Sequence, residues 1–194
     1  MTVTEALQRR QATRAFLDRP VPGTLLETLI EQASQSPSGG NLQPWHVHAL
    51  TGASLEQLKA TVRDKLDRGE REAEQYAIYP SDLWEPLRGR RREAGAQRYA
   101  ALGISREMDG QAVLERMNFE FFGAPIGLFF AIDRRCGPPQ WADLGMFMQS
   151  LMLLAVEHGL ASCPQEVWSV WPETVARHVG LSDDLILFAG MALG

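Results

Sequence analysis

Cysteine is scarce in this chain: Cys136 and Cys163 are the only two in 194 residues, with no C-x-x-C pair and no metal-ligand spacing. That excludes a disulfide framework and a structural zinc site, and makes a reducing cytoplasm the expected compartment. Positive charge is not in excess either. A net charge of −5 leaves no electrostatic footprint for nucleic acid or an anionic membrane surface, so small-molecule partners are expected. The amino-terminal stretch from Met1 to Arg10 has no apolar core of the kind a secretory signal needs. The most apolar run, Trp141 to His158, falls short of the ~20 residues that span a bilayer and is expected to be a buried core helix. Neither G-x-G-x-x-G nor a P-loop occurs, so no resident dinucleotide or nucleoside triphosphate site of those types is supported. Repeats, low-complexity tracts and linkers are also missing. With 45% hydrophobic residues the chain can fill a core, and one domain over residues 1–194 is expected.

What is present centres on Ser36-Pro-Ser-Gly-Gly-Asn-Leu-Gln-Pro-Trp45, between an apolar helical run and an apolar strand. Pro37 stops the helix, and Gly39-Gly40 permit positive φ and close backbone approach. Asn41 and Gln43 each carry a donor and an acceptor, which suits a heterocycle edge or a sugar hydroxyl. A simple helix stop with Trp45 plugging the core is the competing reading.

Helical spacing of Ala6, Leu7 and Arg10 predicts a short helix with Thr4 as its cap, ending at Arg9-Arg10. Leu25, Leu26, Leu29 and Ile30 predict an amphipathic helix to about Ser34. A strand over His46–Leu50 and a helix capped by Ser54 follow. Residues Asp64 to Glu74 and the arginine-rich tract Tyr79 to Arg92 read as a surface excursion with a solvated helix face. Ile126–Ile132 is a strand buried on both faces. Cys163-Pro-Gln-Glu166 reads as a turn, Pro172 opens a helix to about Val179, and Leu185–Gly190 returns as a strand. Gln149 and Ser150 read as satisfied polar groups at a helix contact. The interleaving is that of an α/β or α+β sandwich.

Arg9-Arg10-Gln-Ala-Thr-Arg14-Ala-Phe16, then Pro37-Ser-Gly-Gly-Asn-Leu-Gln-Pro-Trp45, resembles the FMN-dependent nitroreductase family, in its nitrobenzoate-reductase-like branch. Asn118 with Gly123-Ala-Pro125, Asp143-Leu-Gly-Met with Gln149, Gly159-Leu with Cys163-Pro-Gln165, and Gly190-Met-Ala-Leu-Gly194 follow in that branch's order. The resemblance covers nearly all of the chain outside about Thr51 to Arg116. It implies an α+β three-layer sandwich, with a mixed, mostly antiparallel sheet flanked by helices, in an intertwined homodimer carrying FMN at its interface. It also implies a substrate-covering excursion around residues 64–116.

The implied activity is a ping-pong oxidoreductase that passes hydride from NAD(P)H, through flavin N5, to a nitroaromatic or quinone-like acceptor. Arg10 would hold the phosphate with backbone donors from Gln11 and Ala12, and Arg14 would sit near N1 and O2 of the ring. Pro37, Ser38, Gly39 and Asn41 would reach the ribityl chain and ring edge from the opposite subunit. Pro164-Gln165-Glu166 would meet the ring near N5, where Gln165 or Glu166 donates a backbone N–H. Glu166 is read as a turn residue rather than a proton donor. No catalytic side chain and no metal is expected, since the flavin carries the electrons. Without the resemblance, either arginine could be an ordinary helix-terminal charge.

Two departures from the family pattern bear on the cofactor. Gln11 and Ala12 replace a cation and leave the expected phosphate cradle one charge and one hydroxyl short, and relatives continue past the position of Gly194 with a basic tail. Weaker FMN binding is the resulting expectation. Other flavin chemistry on the same scaffold, such as organic substrate oxidation or flavin storage, is one alternative function. A dimer that has lost FMN is another.

Overall fold

In chain order, residues 1–105 and 108–194 of the computed structural model form helices and strands that alternate irregularly. They are α1 (Val3–Arg9), α2 (Gly23–Ala33), β1 (His46–Thr51), α3 (Gly52–Asp67), α4 (Leu87–Ala101) and α5 (Gly110–Phe119). β2 (Ile126–Asp133), α6 (Pro138–Glu157), β3 (Ser162–Gln165), α7 (Pro172–Val179) and β4 (Leu185–Leu193) follow. The sheet has the order β1-β2-β4-β3 and every neighbouring pair is antiparallel. A single parallel bridge from Ala12 to Ser162 adds the segment after α1 beside β3.

The continuous apolar run of β2 is buried on both faces, as its sequence predicts. Ile126, Leu128, Phe130 and Ile132 pack with Leu26, Leu29, Leu144, Phe147 and Leu151 from α2 and α6. Phe129 packs on the other face with Leu55 and Leu58 of α3, Phe119 of α5, and Trp168, Trp171 and Val175 around α7. Each such side chain, fully buried, contributes about 1.5–3 kcal/mol. A shift of register between Phe130 and Ala131 leaves Phe188 of β4 without an opposite residue, so Leu187 and Ala189 face different clusters.

Several element boundaries differ from those the sequence predicts. Thr2, not Thr4, caps α1, because Glu5 completes a capping box with it: Glu5 N–H donates to Thr2 Oγ1 at 3.2 Å and Thr2 N–H donates to Glu5 Oε2 at 2.7 Å. Thr51, not Ser54, stands at the cap of α3, and Ser54 Oγ instead lies 3.1 Å from His178 Nε2. α6 starts at Pro138, whose fixed φ suits a first helical position. Ser150 on α6 is satisfied, donating to Met146 O at 2.9 Å and accepting from Ser36 Oγ at 2.7 Å.

The predicted turn at Cys163–Glu166 is instead strand β3 as far as Gln165. The ladder explains how a proline fits there. Ala161 and Gly194 exchange both backbone hydrogen bonds, at 2.6 and 3.1 Å, so antiparallel alternation makes Cys163 and Gln165 the next residues bonded to β4. Pro164 falls between them, on an edge strand, where its missing N–H faces away from the ladder.

The arginine-rich helix α4 has no buried residue, in keeping with a solvated face. The preceding segment is not a free surface excursion. Glu72 accepts from Glu173 N at 2.8 Å and Thr174 N at 3.1 Å, from the Thr174 hydroxyl, and from Lys65 Nζ at 2.9 Å. A carboxylate from far along the chain thus caps α7, where the helix dipole favours negative charge. Gln75 Oε1 accepts from Leu187 N at 3.0 Å, and the Tyr76 hydroxyl donates to Phe188 O, the carbonyl of the bulge. These side chains cover the part of β4 that the short β3 leaves open.

Burial alone would raise the Glu72 carboxyl, but its bonds from Thr174, Lys65 and Glu173 outweigh burial and hold its pKa below the ordinary 4.5. A group with a depressed folded pKa contributes stability above its unfolded pKa and loses it as pH falls through the folded value. Glu72→Gln should therefore cost about 2 kcal/mol at neutral pH. Its difference in melting temperature from the parent should narrow as pH drops below 4.5. Calorimetry from pH 7 down to 3 checks this, and a gap that stays constant would contradict it.

Among the described residues no helix is long and apolar enough to cross a membrane, and no group of three or more His, Cys, Asp or Glu side chains is placed to hold a metal ion.

Candidate functional site

The site is built where the chain after α1 meets β3. Arg10 closes α1 with an extended backbone, its N–H still donating to Ala6 O at 2.9 Å. Thr13 N–H then donates to Ser162 O at 3.0 Å, which fixes Arg10, Gln11, Ala12 and Arg14 alongside Ser162-Cys-Pro-Gln165. The two stretches singled out in the sequence, at opposite ends of the chain, are thereby one surface. Arg14 Nη1 donates to Ala12 O at 3.2 Å, and its guanidinium lies 6.0 Å from the ring of Phe122.

Phe121 and Phe122 hold this arrangement and were not marked by any sequence signal. Both are buried with φ near +50°, at 50° and 54°, an outlying conformation for bulky residues that costs on the order of 1–3 kcal/mol each. Phe122 O accepts from Phe16 N at 3.2 Å, so the strained turn anchors the segment that carries Arg14.

Gln165 is buried at the end of β3, and its side-chain amide donates to Asn118 O at 2.7 Å and approaches Asn118 Oδ1 at 3.3 Å. Its Oε1 is buried without a partner among the described residues, and so is Ser162 Oγ. No carboxylate lies within ion-pair distance of Arg10 or Arg14 among the described residues. Burial raises the Cys163 thiol to about 11, against a smaller downward pull from the guanidiniums of Arg14 and Arg98, so this thiol stays protonated and is no nucleophile. Partial burial also raises the Glu166 carboxyl. By the alternation along β3, Gln165 N–H faces Gly190, which leaves Glu166 N–H as the first backbone donor past Pro164 that the ladder does not take.

The loop holding Pro37, Ser38, Gly39 and Asn41 lies against α6. Gly39 N–H donates to the buried carboxylate of Asp143 at 3.2 Å, and Ser38 Oγ accepts from Gln43 N at 2.9 Å. Positive φ falls on Gly40 at 59°, Asn41 at 56° and Gln43 at 47°, and not on Gly39. The resulting turn leaves Pro37, Gly39 and Asn41 exposed. The chain thus presents two groups of residues, this loop and Arg10–Arg14, that no hydrogen bond joins among the described residues. One bears free cations and orphaned acceptors; the other bears exposed amides and backbone in a rigid turn. A ligand with an anionic group, ring N–H donors and sugar-like hydroxyls matches this set of groups.

A family model for the nitroreductase family matches residues 7–194. The chain belongs to the nitroreductase family. It is 36% identical to a 4-nitrobenzoate reductase of Pseudomonas putida over 95% of this chain and 81% of that protein. To a chloronitrobenzene nitroreductase of Comamonas testosteroni it is 34% identical, over 99% of this chain and 86% of that one. Among solved nitroreductase structures, an FMN and NADPH-dependent enzyme, NfnB from Sphigopyxis sp. strain HMH, superposes with a TM-score of 0.96 at 46% identity, covering 100% of this chain and 88% of its own. The FMN-dependent NfnB of Mycobacterium smegmatis, solved in complex with NADPH, gives 0.88 at 30% identity over 100% and 88%. The α+β nitroreductase fold expected from the sequence is the fold of this chain.

Proposed function

We propose that this family member is an FMN-dependent oxidoreductase that takes hydride from NAD(P)H and reduces nitroaromatic or quinone-like acceptors by a ping-pong route. The observation that carries this reading is the β3 surface, where unpaired arginines and orphaned buried acceptors stand together. FMN fits those residues, and when bound it supplies two-electron hydride chemistry.

Arg10 holds the phosphate as a fork of donors, with the backbone of Gln11 and Ala12 beside it. Arg14, kept in place by Ala12 O and the Phe122 ring, puts a fixed positive charge where negative charge grows on reduction of the ring. Glu166 N–H is the donor at the ring edge. Gln165, braced by Asn118, is buried behind that donor, with its Oε1 unpartnered among the described residues. Pro37, Ser38, Gly39 and Asn41 complete the site from a second copy of the chain. That no hydrogen bond joins them to Arg10–Arg14 among the described residues supports that role, and the working unit is a homodimer. Residues 64–116 form the covering excursion of a single cofactor-binding domain.

The purified protein, supplied with FMN, should show flavin absorbance, oxidise NADH or NADPH with a nitroarene, and give parallel double-reciprocal plots. Light scattering should report a dimer. A colourless protein that takes up no added FMN would exclude the flavin reading, and a monomer with full FMN occupancy would exclude the shared site.

A further inference from the structure

The Asp143-Leu-Gly-Met run of α6 has no part in the flavin reading, yet it carries a buried acid. Asp143 is 5% exposed, with no cation within ion-pair distance among the described residues. Its one side-chain hydrogen bond among them comes from Gly39 N–H at 3.2 Å. A carboxylate withdrawn from water costs free energy that so few partners do not restore. An apolar side chain would serve the stability of α6 better, so the effect of the acid lies in what it holds, the turn at Gly39.

Asp143, Phe147 and Ser150 stand at i, i+4 and i+7 on one face of α6, and each takes a different part of the loop. Ser150 Oγ accepts from Ser36 Oγ at 2.7 Å where the loop begins, Asp143 accepts from Gly39 at its middle, and the Phe147 ring stacks on Trp45 at 5.1 Å where it ends. Ser36 is buried and Trp45 half-buried, so of the three contacts only that of Asp143 reaches the stretch with Pro37, Gly39 and Asn41 exposed. Just past it Asn41 and Gln43 hold positive φ, which side chains keep only where the surroundings fix the backbone. Leu42 in the same turn and Met146 on α6 are exposed apolar side chains, 63% and 40% accessible, which a second copy of the chain would cover.

We propose that Asp143 is a positioning residue that acts across the dimer: through Gly39 N–H it fixes the turn that its own chain lends to the partner's cofactor site. Losing it weakens FMN in the partner's site and leaves intact the site to which its own chain contributes Arg10. The proposal rests on the flavin and shared-site reading, and the experiment separates the two.

The parent chain, Asp143→Leu and Asp143→Asn are each titrated with FMN by fluorescence quenching, with light scattering on the same samples. Asp143→Leu, which removes the acceptor and keeps a branched side chain, should stay dimeric and bind FMN about tenfold more weakly. Asp143→Asn keeps an oxygen acceptor for Gly39 N–H and should stay within about threefold of the parent. Chains carrying Arg10→Ala and Asp143→Leu are then co-expressed with different affinity tags, and the heterodimer is isolated. If Asp143 acts across the dimer, both defects fall in one site, so one FMN per heterodimer binds with parent affinity. If it acts within its own chain, each site carries one defect and no tight site forms, which overturns the proposal together with the shared site. Parent-like affinity in Asp143→Leu overturns the role of Asp143 alone, and an Asp143→Leu chain that fails to fold or to dimerise makes the residue structural and overturns it too. A parent that takes up no FMN, or an Arg10→Ala chain that binds it unchanged, removes the cofactor reading beneath the proposal.

Discussion

Gly190→Ala is expected to destabilise the protein by about 3 kcal/mol, lowering its melting temperature by roughly 6–12 °C. A Cβ at this position would stand 2.4 Å from Trp168 Cδ1 and 2.9 Å from Trp168 Cγ, contacts that cannot exist without movement. Trp168 has nowhere to go. Its ring is fully buried, with Phe121 stacked at 4.6 Å and Phe119 and Phe129 edge-on at 5.0 and 5.2 Å. The backbone is equally held, because Gly190 is paired with Phe129 on one side and Gln165 on the other. Gly95→Ala, on α4 with nothing within 4 Å of the added atom, is the matched control and should be neutral or slightly stabilising. Thermal unfolding of both variants tests the contrast. Equal melting temperatures would mean that the aromatic cluster yields freely. Because Gln165 is bonded opposite Gly190, the loss of order should extend to the site.

Arg10→Ala is expected to weaken FMN binding about 10- to 150-fold, the range for deleting a hydrogen bond to a charged group at about 1.5–3 kcal/mol. The fold should survive, since Arg10 makes no side-chain hydrogen bond or ion pair among the described residues and the end of α1 is held by its backbone. On the side toward β3, the next two side chains bring no second cation. Gln11 is neutral and Ala12 contributes only backbone, so neither replaces the lost charge. Fluorescence-quenching titration gives the affinity and circular dichroism the fold. Unchanged FMN affinity would remove Arg10 from the phosphate site, and a lost dichroism signal would make its role structural.

The sequence made legible those parts of the fold whose signal is local. The uninterrupted apolar run of β2 and the Pro172 start of α7 emerge at the expected places because burial on both faces and a fixed φ are properties of a few adjacent residues. β3 was misread as a turn because proline argues against a strand. Only the ladder parity, set by Ala161 and Gly194, puts Pro164 where no N–H is needed. The Arg10–Arg14 segment was picked out by resemblance, but its docking against Ser162 is a contact between distant parts of the chain, which no local pattern encodes. Glu72 lay in a mixed-charge run in which nothing distinguishes a helix cap from a solvated acid.

The strand order β1-β2-β4-β3 has a consequence for how the protein is made. β4 lies between β2 and β3, yet it leaves the ribosome after both, so neither interior partnership of the sheet can close until β4 has been translated. At about 5–20 residues per second, the arginine segment waits roughly 7–30 s after its own synthesis before Ser162 is available to receive Thr13. During that interval the doubly apolar β2 has only the edge strand β1 to pair with. Nascent chains stalled just before Leu185 should therefore engage chaperones through β2, whereas chains in which Leu193 has been translated and has cleared the ribosome should close the sheet, with the cation patch on β3 assembling last.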